Sequence, residues 1–373
     1  MDTNRLKESF AHVAMHGDEV ALFFYSDLFL RAPAVRDLFP VSMSTQRDRL
    51  LAALGRIVSD VDSLDRLAPF LRGLGRDHRK FGALAEHYDV VGASLLATLA
   101  HFSGPSWTDE LAGDWKAAYA LVGQVMIGAA QEDENVHPPW WDATVTGHER
   151  RSFETAVFRV HPEQRLDYAP GQSVALQSAD CPRIWRFYSM ANAPRDDGTL
   201  DFHVRMIDGG SLSPVLTWRV RAGSRVRLGP PVGSLSLRDA PERNIVMVAG
   251  STGLAPLKAI IDQLSRLAAP PRVHLFFGAR TAEGLYDLPS LEKMAATFGW
   301  LTVTHAVSDD PGDRAYAGER GVITDVMSRY GSWTGHDAYV CGSTAMVEAA
   351  VERLGVLGVP GEQIHVEDFG WSP

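Results

Sequence analysis

Asn244-Ile245-Val246-Met247-Val248-Ala249-Gly250-Ser251-Thr252-Gly253-Leu254-Ala255-Pro256 is the stretch whose reading decides the fold. Its first six residues form an apolar run of the kind that a strand covered on both faces needs, and Gly250 ends it. The spacing of apolar residues from Leu257 to Leu267 then predicts an amphipathic helix. A strand, a glycine-rich turn and a helix in that order offer free N–H groups to an anion and let the backbone approach a pyrophosphate. No Gly-Lys-Ser/Thr follows, so the turn is not a Walker loop. Such turns also occur without any ligand, and on pattern alone nucleotide binding and plain structure stand about even.

Downstream, apolar strands are expected at Val273 to Phe277, Leu301 to Ala306 and Ala338 to Val340, the last ending in Cys341-Gly342. Strands alternating with helices imply a parallel, doubly wound α/β sheet over residues 241–373. Upstream the texture differs. Thr155 to Val160, Ser173 to Gln177, Leu200 to Met206 and Arg225 to Leu228 read as short strands. Turn signals such as Ala169-Pro170-Gly171 and Asp208-Gly209-Gly210 separate them, which predicts an antiparallel β-barrel or sandwich over residues 148–240. Further forward, apolar residues recur at helical spacing, as in Ile57, Val58, Val61, Leu64 and in Leu95, Leu96, Leu99. Pro33 and Pro40 fall at expected helix ends, and His137-Pro138-Pro139-Trp140-Trp141 breaks the pattern, so residues 1–137 are expected to be all-α.

A length of 373 residues suits such a multidomain chain better than a single core. The net charge of -10 disfavours nucleic acid and anionic membranes as partners. Cys181 and Cys341 lie far apart and form no metal-type spacing, which suggests a reducing compartment without a disulfide framework. Met1 to Phe10 lacks the apolar core of a signal peptide, and Val20 to Leu30 is too short to span a bilayer, so a cytoplasmic location is expected.

Two constellations carry chemistry. In Arg186-Phe187-Tyr188-Ser189 a guanidinium suits bidentate phosphate binding, an aromatic ring can lie against a flavin, and a hydroxyl can reach a ring nitrogen. An ordinary amphipathic strand would explain the tetrapeptide alone. Its neighbours change the balance: Tyr168-Ala169-Pro170-Gly171-Gln172 before it, then Gly209-Gly210-Ser211-Leu212-Ser213, the Gly250 turn, and Cys341-Gly342-Ser343-Thr344. In the front region His12, His16, His78, His87, His101 and His137 are the candidate ligands. A lone helical histidine is usually a surface or core residue. His78 stands out because Tyr88-Asp89-Val90-Val91-Gly92 follows at ten residues, and a neutral imidazole is a good axial ligand for haem iron.

The ordered motifs over residues 148 to 373 resemble the ferredoxin-reductase superfamily. The resemblance implies that Arg186 holds the FAD pyrophosphate, Tyr188 packs on the isoalloxazine and Ser189 hydrogen-bonds near its N5. It implies further that Gly210 and Ser213 complete the flavin phosphate site, and that Gly250, Thr252 and Gly253 cradle a nicotinamide dinucleotide. Cys341 and Gly342 would lie near the nicotinamide, although Cys341 suits a buried structural thiol equally well. Phe369, in Glu367-Asp368-Phe369-Gly370, resembles the C-terminal aromatic that closes over the flavin.

Residues 4 to 134 have their own resemblance. Phe24-Tyr25-Ser26-Asp27-Leu28-Phe29, Leu38-Phe39-Pro40, Gln46-Arg47, His78 with Tyr88, and Leu95-Leu96-Ala97-Thr98-Leu99 are together similar to the globin of bacterial flavohaemoglobins. On that resemblance His78 is the proximal iron ligand, Phe39 packs on the porphyrin and Leu50 is a distal apolar wall. Tyr25 and Gln46 form the distal pair that hydrogen-bonds O2, and Tyr88 helps orient the proximal histidine. One departure stands out: the family's proximal glutamate falls at Ala130, and Glu132 or Glu134 reaches that place only if the helix register slips.

The expected architecture is therefore an all-α globin, an antiparallel β-barrel FAD domain and an α/β doubly wound NAD-binding domain, with haem b, FAD and NADH or NADPH as cofactors. The resemblance implies electron flow from NAD(P)H through FAD to haem and a nitric oxide dioxygenase activity that turns NO and O2 into nitrate. Two other readings compete: a reductase serving an external electron acceptor protein, such as an oxygenase, and a gas sensor or store. Arg280, after the second strand, either holds a 2′-phosphate or pairs with Glu283, and resemblance to NADH-using reductases favours NADH.

Overall fold

A computed structural model describes residues 1–237, 241–309 and 316–367. The chain divides into two units at the Trp140–Trp141 junction.

The first unit is helical: α1 (Thr3–Ala14), α2 (Asp18–Arg31), α3 (Ser44–Ser59), α4 (Leu64–His78), α5 (His87–Ser103) and α6 (Asp109–Glu134). Polar side chains start two of these. Asp2 accepts from the Asn4 and Arg5 N–H groups at the head of α1, and Thr108 accepts from Leu111 N–H at the head of α6, satisfying donors that a helix leaves free. Leu6, Phe24, Leu28, Leu99 and Trp115 are buried in the common core. Helices α4 and α6 approach closely at Gly75, where a Cβ would sit 2.2 Å from the Met126 carbonyl oxygen. Only glycine allows that approach, and His78 lies one turn further along the same helix.

The second unit opens on an antiparallel barrel: β1 (Trp141–Arg150), β2 (Thr155–Pro162), β3 (Ser173–Ser178), β4 (Arg186–Ser189), β5 (Leu200–Arg205), the short helix α7 (Ser213–Trp218) and β6 (Arg225–Val232). Strand order is β4-β3-β6-β1-β2-β5, and a bridge between Met190 and Phe202 nearly closes the ring. Strand β1 starts ahead of the expected boundary at 148. Its inward residues Trp141, Ala143 and Val145 alternate with polar ones, so half of the strand reads as surface. Phe158, Leu176, Met190 and Phe202 fill the interior.

The rest of the unit is β7 (Asn244–Gly250), α8 (Leu254–Leu264), β8 (Val273–Ala279), α9 (Leu288–Thr297), β9 (Leu301–Val307), β10 (Glu319–Arg320), α10 (Ile323–Ser328), β11 (His336–Cys341), α11 (Thr344–Val356) and β12 (Ile364–Val366). These strands are all parallel, in the order β10-β9-β8-β7-β11-β12. Strand β7 carries the buried run read from the sequence, with Ile245 to Ala249 all at or below 1% exposure. Helix α8 begins at Leu254 rather than at Leu257 because Pro256 falls in the first turn, where a missing N–H costs nothing. Among the described residues no helix is long and apolar enough to cross a membrane.

Candidate functional site

Chain order reverses between β7 and β11, and a doubly wound sheet binds ligands in the crevice beyond the carboxyl ends of its strands at such a point. There the Gly250 turn meets Cys341-Gly342. A Cβ on Gly253 would stand 2.3 Å from the Cys341 carbonyl oxygen and 2.7 Å from the Gly342 nitrogen, so two backbones touch with no side chain between them. Ser251 sits at φ 51, a left-handed conformation that a serine adopts only under constraint. Gly250, Thr252 and Gly253 thus form a bare backbone cradle ahead of α8, the shape a pyrophosphate requires.

Beside the cradle lies a group that sequence reading did not assign. Glu367 is buried, and its carboxyl accepts from Ser189 Oγ at 2.9 and 3.1 Å and from Cys341 Sγ at 3.0 Å. No cation joins it in these contacts. Burial pushes its pKa up from 4.5 to about 7, with the bonds from Cys341 and Ser189 pulling only partly against this. Burial and the nearby Glu367 carboxyl push the Cys341 thiol well up as well. Ser189 is at the end of β4, Cys341 at the end of β11 and Glu367 just after β12, so barrel and nucleotide sheet share one proton-holding cluster. Glu367 lies two residues before Phe369, but a carboxylate in a short motif carries no sign of partners 178 and 26 residues away.

The other reductase residues are placed as follows. Arg186 and Tyr188 lie on β4, both half-buried; burial raises the Tyr188 phenol, and its ring packs against the barrel core. Arg186 donates to the Trp185 carbonyl at 2.8 Å. Ser213 Oγ accepts from Ile207 N–H at 3.0 Å and stands 3.0 Å from where a Gly210 Cβ would be, so these two residues close a tight turn before α7. Phe369 lies outside the described residues. The interface between barrel and sheet is firm. His203 Nδ1 and Tyr286 Oη lie 2.7 Å apart in a buried contact, and burial lowers the His203 pKa to about 3. Asp262 accepts from Ala193 N–H at 2.9 Å.

In the helical unit His78 donates from Nδ1 to the Leu74 carbonyl at 2.8 Å. That bond leaves Nε2 as the nitrogen able to ligate a metal, and burial lowers the imidazole pKa, which favours the neutral form. Tyr25 points its hydroxyl at the Gln46 carbonyl oxygen, 3.4 Å away, and burial raises its pKa to about 12. The Phe39 ring meets Tyr25 edge-on at 5.4 Å, and Leu50 packs half-buried on the same core. Tyr25, Gln46 and Phe39 are therefore brought together. Tyr88 is not joined to His78: its carbonyl accepts from Tyr119 Oη at 2.5 Å, and its ring lies beside Gly123. Among the described residues no carboxylate replaces the glutamate missing at Ala130 through a bond to His78. Glu132 pairs with Arg72 at the surface, and Glu134 is exposed. Asp77, next along α4, holds Lys80 with one oxygen and is the first charge acting on the imidazole. A neutral ligating imidazole, an apolar wall and a distal hydroxyl are the donor set and lining that a haem requires.

Three families match in chain order: Globin over residues 22–126, Oxidoreductase FAD-binding domain over 142–237 and Oxidoreductase NAD-binding domain over 247–352. These define the class as an NAD(P)H-dependent flavin oxidoreductase with a globin on the same chain. The chain is 34% identical to a Pseudomonas putida relative, the ferredoxin–NAD(P)+ reductase component of a naphthalene 1,2-dioxygenase system, over 67% of this chain and 75% of that one. It is 27% identical to a flavohemoprotein of Bordetella parapertussis over 95% of this chain and 94% of that one. Its fold matches a flavohemoglobin from Malassezia yamatoensis solved with bound FAD and heme, at a TM-score of 0.78 and 15% identity, covering 99% and 98% of the two chains. The chain belongs to the flavohaemoglobin family, and its cofactors are haem, FAD and a nicotinamide dinucleotide.

Proposed function

We propose that this protein is a nitric oxide dioxygenase, converting NO, O2 and one electron into nitrate. The observation that carries the proposal is the Tyr25 hydroxyl turned to Gln46 in the globin interior of a chain that also holds a flavin reductase. FAD accepts two electrons from NAD(P)H and passes them on singly, and haem supplies the O2 chemistry. The chain's own residues do the rest. Gly250, Thr252 and Gly253 hold the dinucleotide, while Arg186, Gly210 and Ser213 hold the flavin phosphates. Tyr188 lies against the flavin ring. Ser189, Glu367 and Cys341 keep one exchangeable proton beside it, with Glu367 poised near neutrality as an acid–base group should be. Gly342, against which the Met346 side chain packs, would lie on the nicotinamide side of the crevice.

On the globin side His78, with Nδ1 donated to Leu74, would hold the haem iron, Phe39 and Leu50 would exclude water, and Tyr25 beside Gln46 would set a fixed dipole where negative charge develops. Tyr88 braces α5 against α6 on the proximal side. Among the described residues no carboxylate bonds to His78, which leaves the imidazole a weaker donor, so slower turnover than a carboxylate-bonded imidazole would give is expected.

The test is an anaerobic NADH titration of the purified holoprotein followed by absorption, then NO consumption in air. Flavin bleaching followed by ferric-to-ferrous haem bands, with Tyr25→Phe slowing NO loss about tenfold or more and His78→Ala abolishing haem binding, supports the proposal. Bleaching of the flavin alone would send electrons to an external acceptor protein instead.

A further inference from the structure

The parallel ladder between β8 and β9 runs past both strand ends. Ser308 N–H donates to the Ala279 carbonyl at 3.0 Å, and Asp309 N–H to the Arg280 carbonyl at 2.7 Å. The two side chains therefore leave the sheet side by side, and an Arg280 Nη2–H donates to the Asp309 carboxylate at 3.2 Å. Both are open to solvent, at 85% and 65% exposure. Glu283, the other carboxylate within reach in sequence, is engaged elsewhere: it accepts from Phe153 N–H at 3.4 Å.

The carboxyl end of the second strand of a doubly wound sheet is where the adenosine ribose of a dinucleotide lies. An acidic side chain there suits a free 2′-hydroxyl, whereas an arginine suits a 2′-phosphate. Here the arginine is present, but a carboxylate on the next strand holds it. A 2′-phosphate would need that guanidinium and would bring about two negative charges next to Asp309. A 2′-hydroxyl brings none and can donate to the carboxylate.

We propose that Asp309, by occupying Arg280, makes this chain select NADH over NADPH. The inference rests on the nicotinamide-dinucleotide reading of the Gly250–Gly253 crevice and assigns which dinucleotide it takes. Asp309 is a specificity residue in this role, remote from the hydride being transferred. Because the pair is exposed and screened, its effect is a graded preference rather than an absolute block.

The test uses the FAD-loaded full chain in low salt. NADH and NADPH are compared by stopped-flow flavin reduction, and adenosine 2′,5′-bisphosphate and 5′-AMP by calorimetry, which needs no turnover. The parent is expected to favour NADH by about tenfold or more in kcat/KM and to bind 5′-AMP no more weakly than the bisphosphate. Asp309→Asn should lower the KM for NADPH and tighten the bisphosphate about three- to tenfold, and shift the NADH-to-NADPH ratio of kcat/KM toward NADPH by at least as much. The double variant D309N/R280A should lose that gain. A parent that prefers NADPH, an Asp309→Asn effect equal on both dinucleotides, or a gain that survives the loss of Arg280 would overturn the proposal. If neither dinucleotide reduces the flavin and neither adenine compound binds the parent, the crevice itself is misread and the preference falls with it.

Discussion

Replacing Glu367 by Gln should make the reductase half more stable at high pH and remove this carboxyl's share of its pH dependence. The carboxyl lies in the protein with two neutral donors, Ser189 and Cys341, and among the described residues no cation is bonded to it. Its pKa stands at about 7 against an ordinary 4.5. The folded chain therefore keeps the proton up to about pH 7, while the unfolded chain releases it near 4.5. The stability that this carboxyl contributes falls as pH rises through that window and levels off above it. A difference of about two and a half pH units at ~1.36 kcal/mol each is worth up to about 3 kcal/mol. For a unit of this size each kcal/mol moves the melting point by roughly 2–4 °C, so parent and variant should differ by several degrees at pH 8 and converge at pH 5. The assay is thermal unfolding of the holoprotein followed by flavin release at pH 5 to 9. Stopped-flow flavin reduction by NADH over the same range should show an inflection near pH 7 in the parent that the Gln variant lacks. A parent-minus-variant difference in midpoint that stays constant from pH 5 to 8 refutes the reasoning, whatever slope buried histidines such as His203 give both proteins.

Gly253→Ala places a methyl 2.3 Å from the Cys341 carbonyl oxygen, so the cradle must open; dinucleotide affinity should fall about tenfold or more while the flavin spectrum is retained, as equilibrium titration would show. Gly75→Ala drives α4 away from the Met126 carbonyl and carries His78 with it; haem affinity should drop, read by transfer of haem to an acceptor globin. Phe202→Ala empties the centre of the barrel, where Phe202 is fully buried; a loss of about 3–5 kcal/mol in denaturant unfolding of the flavin unit is expected.

The sequence by itself determined what depends on local pattern. The apolar run of β7, its glycine turn and the helix after it were legible because burial on both faces, a backbone cradle and a helical stripe each leave a periodic trace. The same holds for the helical front and for the order of flavin and globin motifs along the chain. Strand β1 was partly hidden, since an antiparallel strand with one wet face shows only half of its apolar signal. The tertiary structure alone decided how residues from separate elements combine. It joined Ser189, Cys341 and Glu367 across two domains and thereby set an acid near neutrality, because desolvation depends on what surrounds a carboxyl and not on its neighbours in sequence. It gave the His78 proton to Leu74 in place of Tyr88, and Arg280 to Asp309 in place of Glu283. Both are choices among acceptors that the sequence offers, and only their distance in the fold separates those.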